Sequence, residues 1–130
     1  MSGLAAGLWA RRRHPVTDAD TATALGSGDV AVLATPRLLA WMEAATTAAI
    51  ADELTPGRTT VGTRVEVDHL AASPVGAVVW VRADLLAVDG RALTFAVTAE
   101  DGSGRRVGEG RVVRAIVDRE RFLDRAAQLL

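Results

Sequence analysis

The stretch TPRLLAWMEAATTAAIADEL, residues 35–54, decides the fold, together with TTVGTRVEVDH at 59–69. Thr35-Pro36 opens the first run. Threonine is a good helix N-cap, and proline is favoured at the first helical position. Strong helix formers follow, and Thr55-Pro56-Gly57 closes the run. A helix of about 19 residues spans roughly 28 Å. Between Arg37 and Asp52 its only charge is Glu43. A helix apolar nearly all round has to be wrapped by other elements. The second run alternates. Val61, Thr63, Val65, Val67 and His69 share one face, and Arg64, Glu66 and Asp68 share the other. The valine face is expected to pack on the helix.

More strands follow outward from this pair. Ser73-Pro74 and Gly76 mark a loop, and a strand is expected over 77–88. Asp89-Gly90 is a strong hairpin signal. The next strand, 92–100, places Leu93, Phe95, Val97 and Ala99 on one face. Asp101-Gly102-Ser103-Gly104 turns the chain into a last strand at 106–117, and 119–130 reads as a short terminal helix. Upstream, 8–16 reads as a strand. Segment 17–34 reads as irregular around a short helix, with a capping box at Thr17 and Asp20 and with Gly26 as its close. A curved antiparallel meander wrapped round one long helix buries both economically, which is the hot-dog fold, class α+β. Its open edge strand invites strand-to-strand dimerisation.

Composition narrows the function. The chain has 130 residues, suited to one domain over 1–130. Apolar residues are 49% and charged residues 24%, with a net charge of −1. That mixture argues for a globular chain and against the basic surface that non-specific nucleic-acid binding needs. There is no cysteine, which excludes disulfides and thiolate chemistry. All fifteen basic residues are arginine, which excludes Schiff-base lysine chemistry. Two histidines leave little for a metal site. No apolar run reaches the roughly 20 residues of a membrane span. The charges of MSGLAAGLWARRR follow its apolar stretch, the wrong order for a secretory signal. A cytoplasmic protein without membrane contact is expected.

Three residues stand out as candidates for chemistry. Glu43 is a carboxylate inside an apolar helix, costly unless paired, hydrated or protonated, and burial raises a carboxyl's pKa toward values useful to a general base. Its bland alternative is a solvated stripe of the helix. His69 ends the strand whose face should cover that helix, so a His–Glu pair at the core edge is a plausible base or nucleophile arrangement. Alone it would more often be a satisfied core or rim histidine. Asp68 points the other way and is a poor partner for the imidazole. Thr35 is a plain N-cap in any case. It lies about 12 Å from Glu43 along the helix axis, so the two line one pocket rather than bond directly. The helix N-terminus adds free N–H groups suited to a polarised carbonyl. Gly62, mid-strand, marks a bulge or the close approach of a ligand. Arg11-Arg12-Arg13 and Arg105-Arg106 suit phosphates, although such runs are more often solvated faces. His14 has no evident partner.

The stretches LGSGDVAVLATPRLLAWMEAA (25–45), TTVGTRVEVDHLAASPVG (59–76), LLAVDGRALTFAVTAEDG (85–102) and GEGRVVRAIVDRERF (108–122) together resemble the hot-dog thioesterases related to fluoroacetyl-CoA thioesterase. The resemblance implies hydrolysis of a short or medium acyl thioester, on coenzyme A or an acyl-carrier protein. Its catalytic threonine, glutamate and histidine fall on Thr35, Glu43 and His69, and its acyl-pocket positions on Gly62 and Arg114. It implies no metal and no bound cofactor, coenzyme A being part of the substrate, and a homodimer, with tetramers also compatible. Segment 17–34 has no aromatic residue, unlike the aromatic lid of the fluoroacetyl enzyme, so general acyl-thioester hydrolysis is expected rather than fluorine selection. Two other readings of the same fold are a dimer that binds an acyl thioester without turnover and an enoyl-thioester hydratase. The hydratase class pairs aspartate with histidine in a short motif that adjacent Asp68 and His69 do not form.

Overall fold

The computed structural model describes residues 3–130. Five antiparallel strands form one sheet in the order β1-β3-β4-β5-β2. They are β1 (Trp9–Pro15), β2 (Arg58–His69), β3 (Val78–Asp89), β4 (Ala92–Asp101) and β5 (Arg106–Asp118). Three helices join them: α1 (Ala22–Leu25), α2 (Thr35–Ile50) and α3 (Arg119–Ala127). The sheet curves round α2, the hot-dog arrangement read from the sequence. No helix among the described residues is long and apolar enough to cross a membrane.

The core forms where α2 meets the concave face of the sheet. Leu38, Met42, Ala45 and Ile50 of α2 pack with Val79, Val81, Leu85, Leu93, Phe95, Val97 and Val112. Odd-numbered residues of β3 from Val79 to Leu85 and of β4 from Leu93 to Ala99 point inward, as the period-2 pattern requires. Full burial of a side chain such as Phe95 contributes roughly 1.5–3 kcal/mol. α2 ends at Ile50, and a 3₁₀ turn, Ala51–Glu53, completes the expected helical run. Near the N-terminus the Thr17–Asp20 box caps a 3₁₀ turn, and Thr21 then caps α1, which closes at Gly26 with a left-handed φ of 74°.

Two features differ from the sequence reading. The sheet covers only one side of α2, so the helix is not wrapped all round. Pro36, Ala40, Ala44 and Thr47 remain exposed as a small-residue face. The second difference lies in β2. Its pairing with β5 slips between Gly62 and Arg64, leaving Thr63 as a bulge. One extra residue reverses the alternation. Before the bulge Thr60 and Gly62 face inward, opposite Ile116 and Arg114; after it Val65, Val67 and His69 do, opposite Val112, Gly110 and Gly108. Val61 and Thr63 therefore do not share the face of Val65, Val67 and His69. Thr63 is exposed, and its hydroxyl donates to the Val113 carbonyl.

Candidate active site

The first turn of α2 brings one pair together. Ala34, not Thr35, takes the N-cap position, its carbonyl accepting from the Leu38 N–H at 3.0 Å. The approach to the helix is held from outside: the Leu33 N–H donates to Ser73 O and the Ala34 N–H to Asp20 O. This shifts Thr35 into the helix and removes its hydroxyl from capping. Thr35 Oγ1 instead shares a 2.8 Å hydrogen bond with His69 Nδ1. A helix start leaves N–H groups without intrahelical acceptors, here those of Thr35 and Arg37, since Pro36 has none. His69 Nε2 is buried and has no hydrogen-bond partner among the described residues. Burial pushes the imidazole pKa below its usual 6.5, against a smaller opposing contact with the Ala71 backbone. The ring is therefore neutral near pH 7, one nitrogen engaged by Thr35 and the other buried without a hydrogen-bond partner among the described residues.

The loop after His69 is firmly held. The N–H groups of Leu70 and Ala71 both donate to Val107 O, at 2.7 and 3.2 Å. Arg105 Nη2 donates to Ala72 O at 2.8 Å, while its Nε donates to Asp101. Asp101 also accepts from Ser103, and these bonds lower its pKa to about 2. An open cleft of about 340 Å³ lies over the pair. Thr35, Pro36, His69, Leu70, Leu33 and Ser27 are among its walls.

Two turns along α2, Glu43 sits in a second cluster. Arg114 Nη1 donates to Glu43 Oε2 at 3.1 Å, Nε to Thr60 Oγ1 at 2.9 Å and Nη2 to Thr60 O at 3.1 Å. The arginine side chain is 8% exposed and the carboxylate 37%. The solvated stripe offered as the alternative for Glu43 is thus only half realised, because the carboxylate is ion-paired at the edge of the core. Gly62 packs directly against it, and a Cβ added there would overlap Glu43 Oε2. Gly62 is both readings at once, a residue beside a bulge and a point of close approach, although what approaches is a side chain of the same chain.

Within one chain the two clusters are separate. Thr35 and Glu43 stand about 12 Å apart along α2, and Gly62 and His69 are separated on the inner face of β2 by Val65 and Val67. Val65 lies between them on that face, 40% exposed. Glu43 and His69 have different partners in the fold, Arg114 for one and Thr35 for the other. Thr60, which fixes two donors of Arg114, escaped the sequence reading. The bulge hid it, and the signal that could have found it was the inward parity it shares with Gly62.

The arginine runs have structural partners. Arg105 holds the His69 loop, and Arg106 pairs with Glu100 and Glu109. The Arg11 guanidinium lies over the Trp80 ring, 4.0 Å from its centroid. His14 stacks on Trp41 with ring centroids 4.4 Å apart. No group of three or more potential metal-ligating side chains converges among the described residues.

Comparison with known proteins agrees with this fold. A curated fluoroacetyl-CoA thioesterase from Streptantibioticus cattleyicolor is 41% identical over 91 residues, which are 70% of this chain and 65% of that enzyme. The match thus spans just under two thirds of the enzyme's length. A solved structure of fluoroacetyl-CoA thioesterase superposes with a TM-score of 0.91 at 32% identity, covering 97% of each chain. A Thermus thermophilus member of the thioesterase superfamily superposes with a TM-score of 0.92 at 28% identity, covering 99% of this chain and 95% of the other. The profile of the fluoroacetyl-CoA-specific thioesterase family matches residues 16–120, most of the chain. On that match, the chain belongs to the fluoroacetyl-CoA-specific thioesterase family.

Proposed function

We propose that the protein hydrolyses a short or medium acyl thioester of coenzyme A, giving the free acid and the thiol, in the cytoplasm and as a homodimer. The observation that carries this reading is the Thr35–His69 hydrogen bond at the start of the helix that also holds Glu43 against Arg114. Thr35 and the first-turn N–H groups polarise the thioester oxygen, where negative charge develops as the carbonyl is attacked. Glu43 attacks that carbon to form an anhydride that water then opens, or takes the proton of an attacking water. By either route the C–S bond breaks and one water is consumed. With Nδ1–H donating to Thr35 Oγ1, which leaves the threonine hydroxyl proton for the thioester oxygen, His69 takes a proton from the attacking water at Nε2 and passes it to the thiolate. Coenzyme A enters as substrate, and no metal or bound cofactor has a part.

The separation of the clusters supports the dimer. A carbonyl held at Thr35 is about 12 Å from Glu43 of the same chain. A two-fold copy laid antiparallel along the small-residue face of α2 sets Glu43 of one chain beside Thr35 and His69 of the partner subunit. The outer edge of β2 is unpaired in the sheet, and an open edge with a half-exposed Val65 beside it suits such a contact. Segment 17–34 carries no aromatic residue, so this reading includes no preference for fluoroacetyl over other short acyl groups.

A panel of acyl-CoA thioesters, followed by thiol release, tests the activity. Wild type is expected to turn over short or medium members, and Glu43→Ala and His69→Ala are expected to be defective. Equal rates in all three proteins overturn the assignment. Mixing the two variants tests the shared site: re-formed mixed dimers regain activity if Glu43 and His69 come from different chains, and stay inactive if each site lies within one chain.

A further inference from the structure

The turn between β4 and β5 reaches the proposed site through one side chain. Asp101 opens this turn, and its carboxylate takes four donors. The Ser103 N–H, the Ser103 hydroxyl and the Arg105 N–H bond to Oδ1, and Arg105 Nε bonds to Oδ2 at 2.9 Å. A carboxylate engaged in this way holds its guanidinium in a fixed direction. From there Arg105 Nη2 donates to Ala72 O at 2.8 Å, across a sequence separation of 33 residues. Both ends of the guanidinium are thus in use, one on its own turn and one on the loop after His69. A point charge without that fork would serve the two partners less well.

Both members of the Thr35–His69 pair depend on the segment that Arg105 holds. His69 ends β2 just before it, and the Ala71 backbone touches the imidazole. Ser73 O, one residue after Ala72, accepts from the Leu33 N–H at 2.8 Å and so sets the entry of the chain into α2, two residues before Thr35. Leu70, Ala71 and Ala72 also form a wall of the cleft over the pair. Val107 O secures the near end of the segment by taking the Leu70 and Ala71 N–H groups, and Arg105 secures it at Ala72. The arginine side chain is 55% exposed and lies outside the hydrophobic core. An exposed ion pair of this kind adds little to stability, so its main consequence is where it sets Ala72. We propose that Arg105, aimed by Asp101, is a positioning residue for the hydrolysis, acting through the 70–73 loop to fix the Thr35–His69 contact and the cleft wall beside it. The proposal rests on the thioesterase reading for its reaction, and the imidazole can be followed without any turnover.

The experiment joins an NMR titration of the full chain to the acyl-CoA assay. The chain has two histidines, so two imidazole curves are read, with His14, stacked on Trp41, as the internal reference and His69→Ala as the assignment. In Arg105→Gln the His69 curve is expected to move up toward 6.5, because a loosened loop admits water to the ring, while the His14 curve stays in place. Arg105→Lys keeps the charge and should show a smaller shift. In the assay Arg105→Gln should lose roughly ten- to a hundredfold in kcat, with KM little changed and the melting temperature close to wild type. Adding Asp101→Asn to Arg105→Gln should lower kcat no further, since Asp101 acts through the arginine. Arg106→Gln, which removes a neighbouring arginine paired with Glu100 and Glu109, should match wild type in both readouts. An unmoved His69 curve in Arg105→Gln overturns the proposal. So does an undiminished kcat in that variant where wild type is active, or an equal loss in Arg106→Gln. If the His69 curve moves while wild type hydrolyses no thioester, the positioning of the pair stands and the hydrolytic reading falls.

Discussion

Helix α2 carries its two proposed catalytic positions in opposite physical settings. At its first turn a neutral pair, Thr35 and His69, shares one hydrogen bond, and burial keeps the imidazole uncharged. Two turns on, Glu43 is charged, half open to solvent and anchored by a buried guanidinium whose remaining donors are taken by Thr60. The first setting suits a group that gains and loses a proton near neutral pH. The second suits a fixed negative charge aimed at a carbonyl carbon.

That contrast can be broken at either end. The largest effect is expected for Glu43→Gln, which keeps the shape and removes the charge. Thiol release should fall by about 10²–10⁴, with acyl-CoA affinity by calorimetry little changed. His69→Ala should cost about 10² in kcat and leave the Glu43–Arg114 contact intact, which a crystal structure of the variant would show. Gly62→Ala is the sharpest of the set. Its methyl displaces the Glu43 carboxylate, and a misplacement of this size costs roughly 10² in rate. Because the displaced group is the flexible, half-open end of a side chain, the melting temperature should barely move. A large fall in stability with normal activity would show that Gly62 serves packing alone.

Smaller effects test the anchoring. Arg114→Met leaves Thr60 and Glu43 without their partner. Because Glu43 is more than a third exposed, the cost in a urea melt should be about 2 kcal/mol rather than the larger penalty of a fully buried pair. The smallest effect concerns pH. The His69 pKa lies below 6.5, so the acid limb of kcat/KM should fall at a pH lower than 6.5. Stability follows the same sign. His14 and His69 are both held below 6.5 by burial, so the unfolded chain binds more protons there. Their contribution is complete above pH 6.5 and is lost as pH falls through the folded values. Thr35→Val, which removes the hydrogen-bond partner of His69, should move the acid limb, and an unmoved limb would detach Thr35 from the titrating group.

Much of this was legible in the chain. The long helix announced itself through its Thr-Pro opening and through the fourteen residues 38–51 with one charge, and that lone charge singled out Glu43. β4 showed its inward face, Leu93, Phe95, Val97 and Ala99, because its alternation runs unbroken through the core positions. β2 was misread over its first half because Val61 and Thr63 look like members of the same stripe as Val65 and Val67. A bulge costs only one residue, and alternation on both sides of it still reads as alternation. The same slip concealed Thr60, and only the resemblance to known thioesterases pointed to Arg114. His14 had no partner in sequence because Trp41 reaches it from another element.

Local chemistry therefore determined the helix, the strand count and the identity of Thr35, Glu43 and His69 as unusual residues, since propensity, period and the cost of an unpaired charge act over a few neighbours. Which of them touch was decided only in three dimensions. Strand register and the entry of the chain into α2 depend on hydrogen bonds between residues far apart in sequence, Leu33 with Ser73 and Gly62 opposite Arg114 among them. A one-residue shift in either would give the imidazole and the carboxylate different neighbours without altering a single local preference.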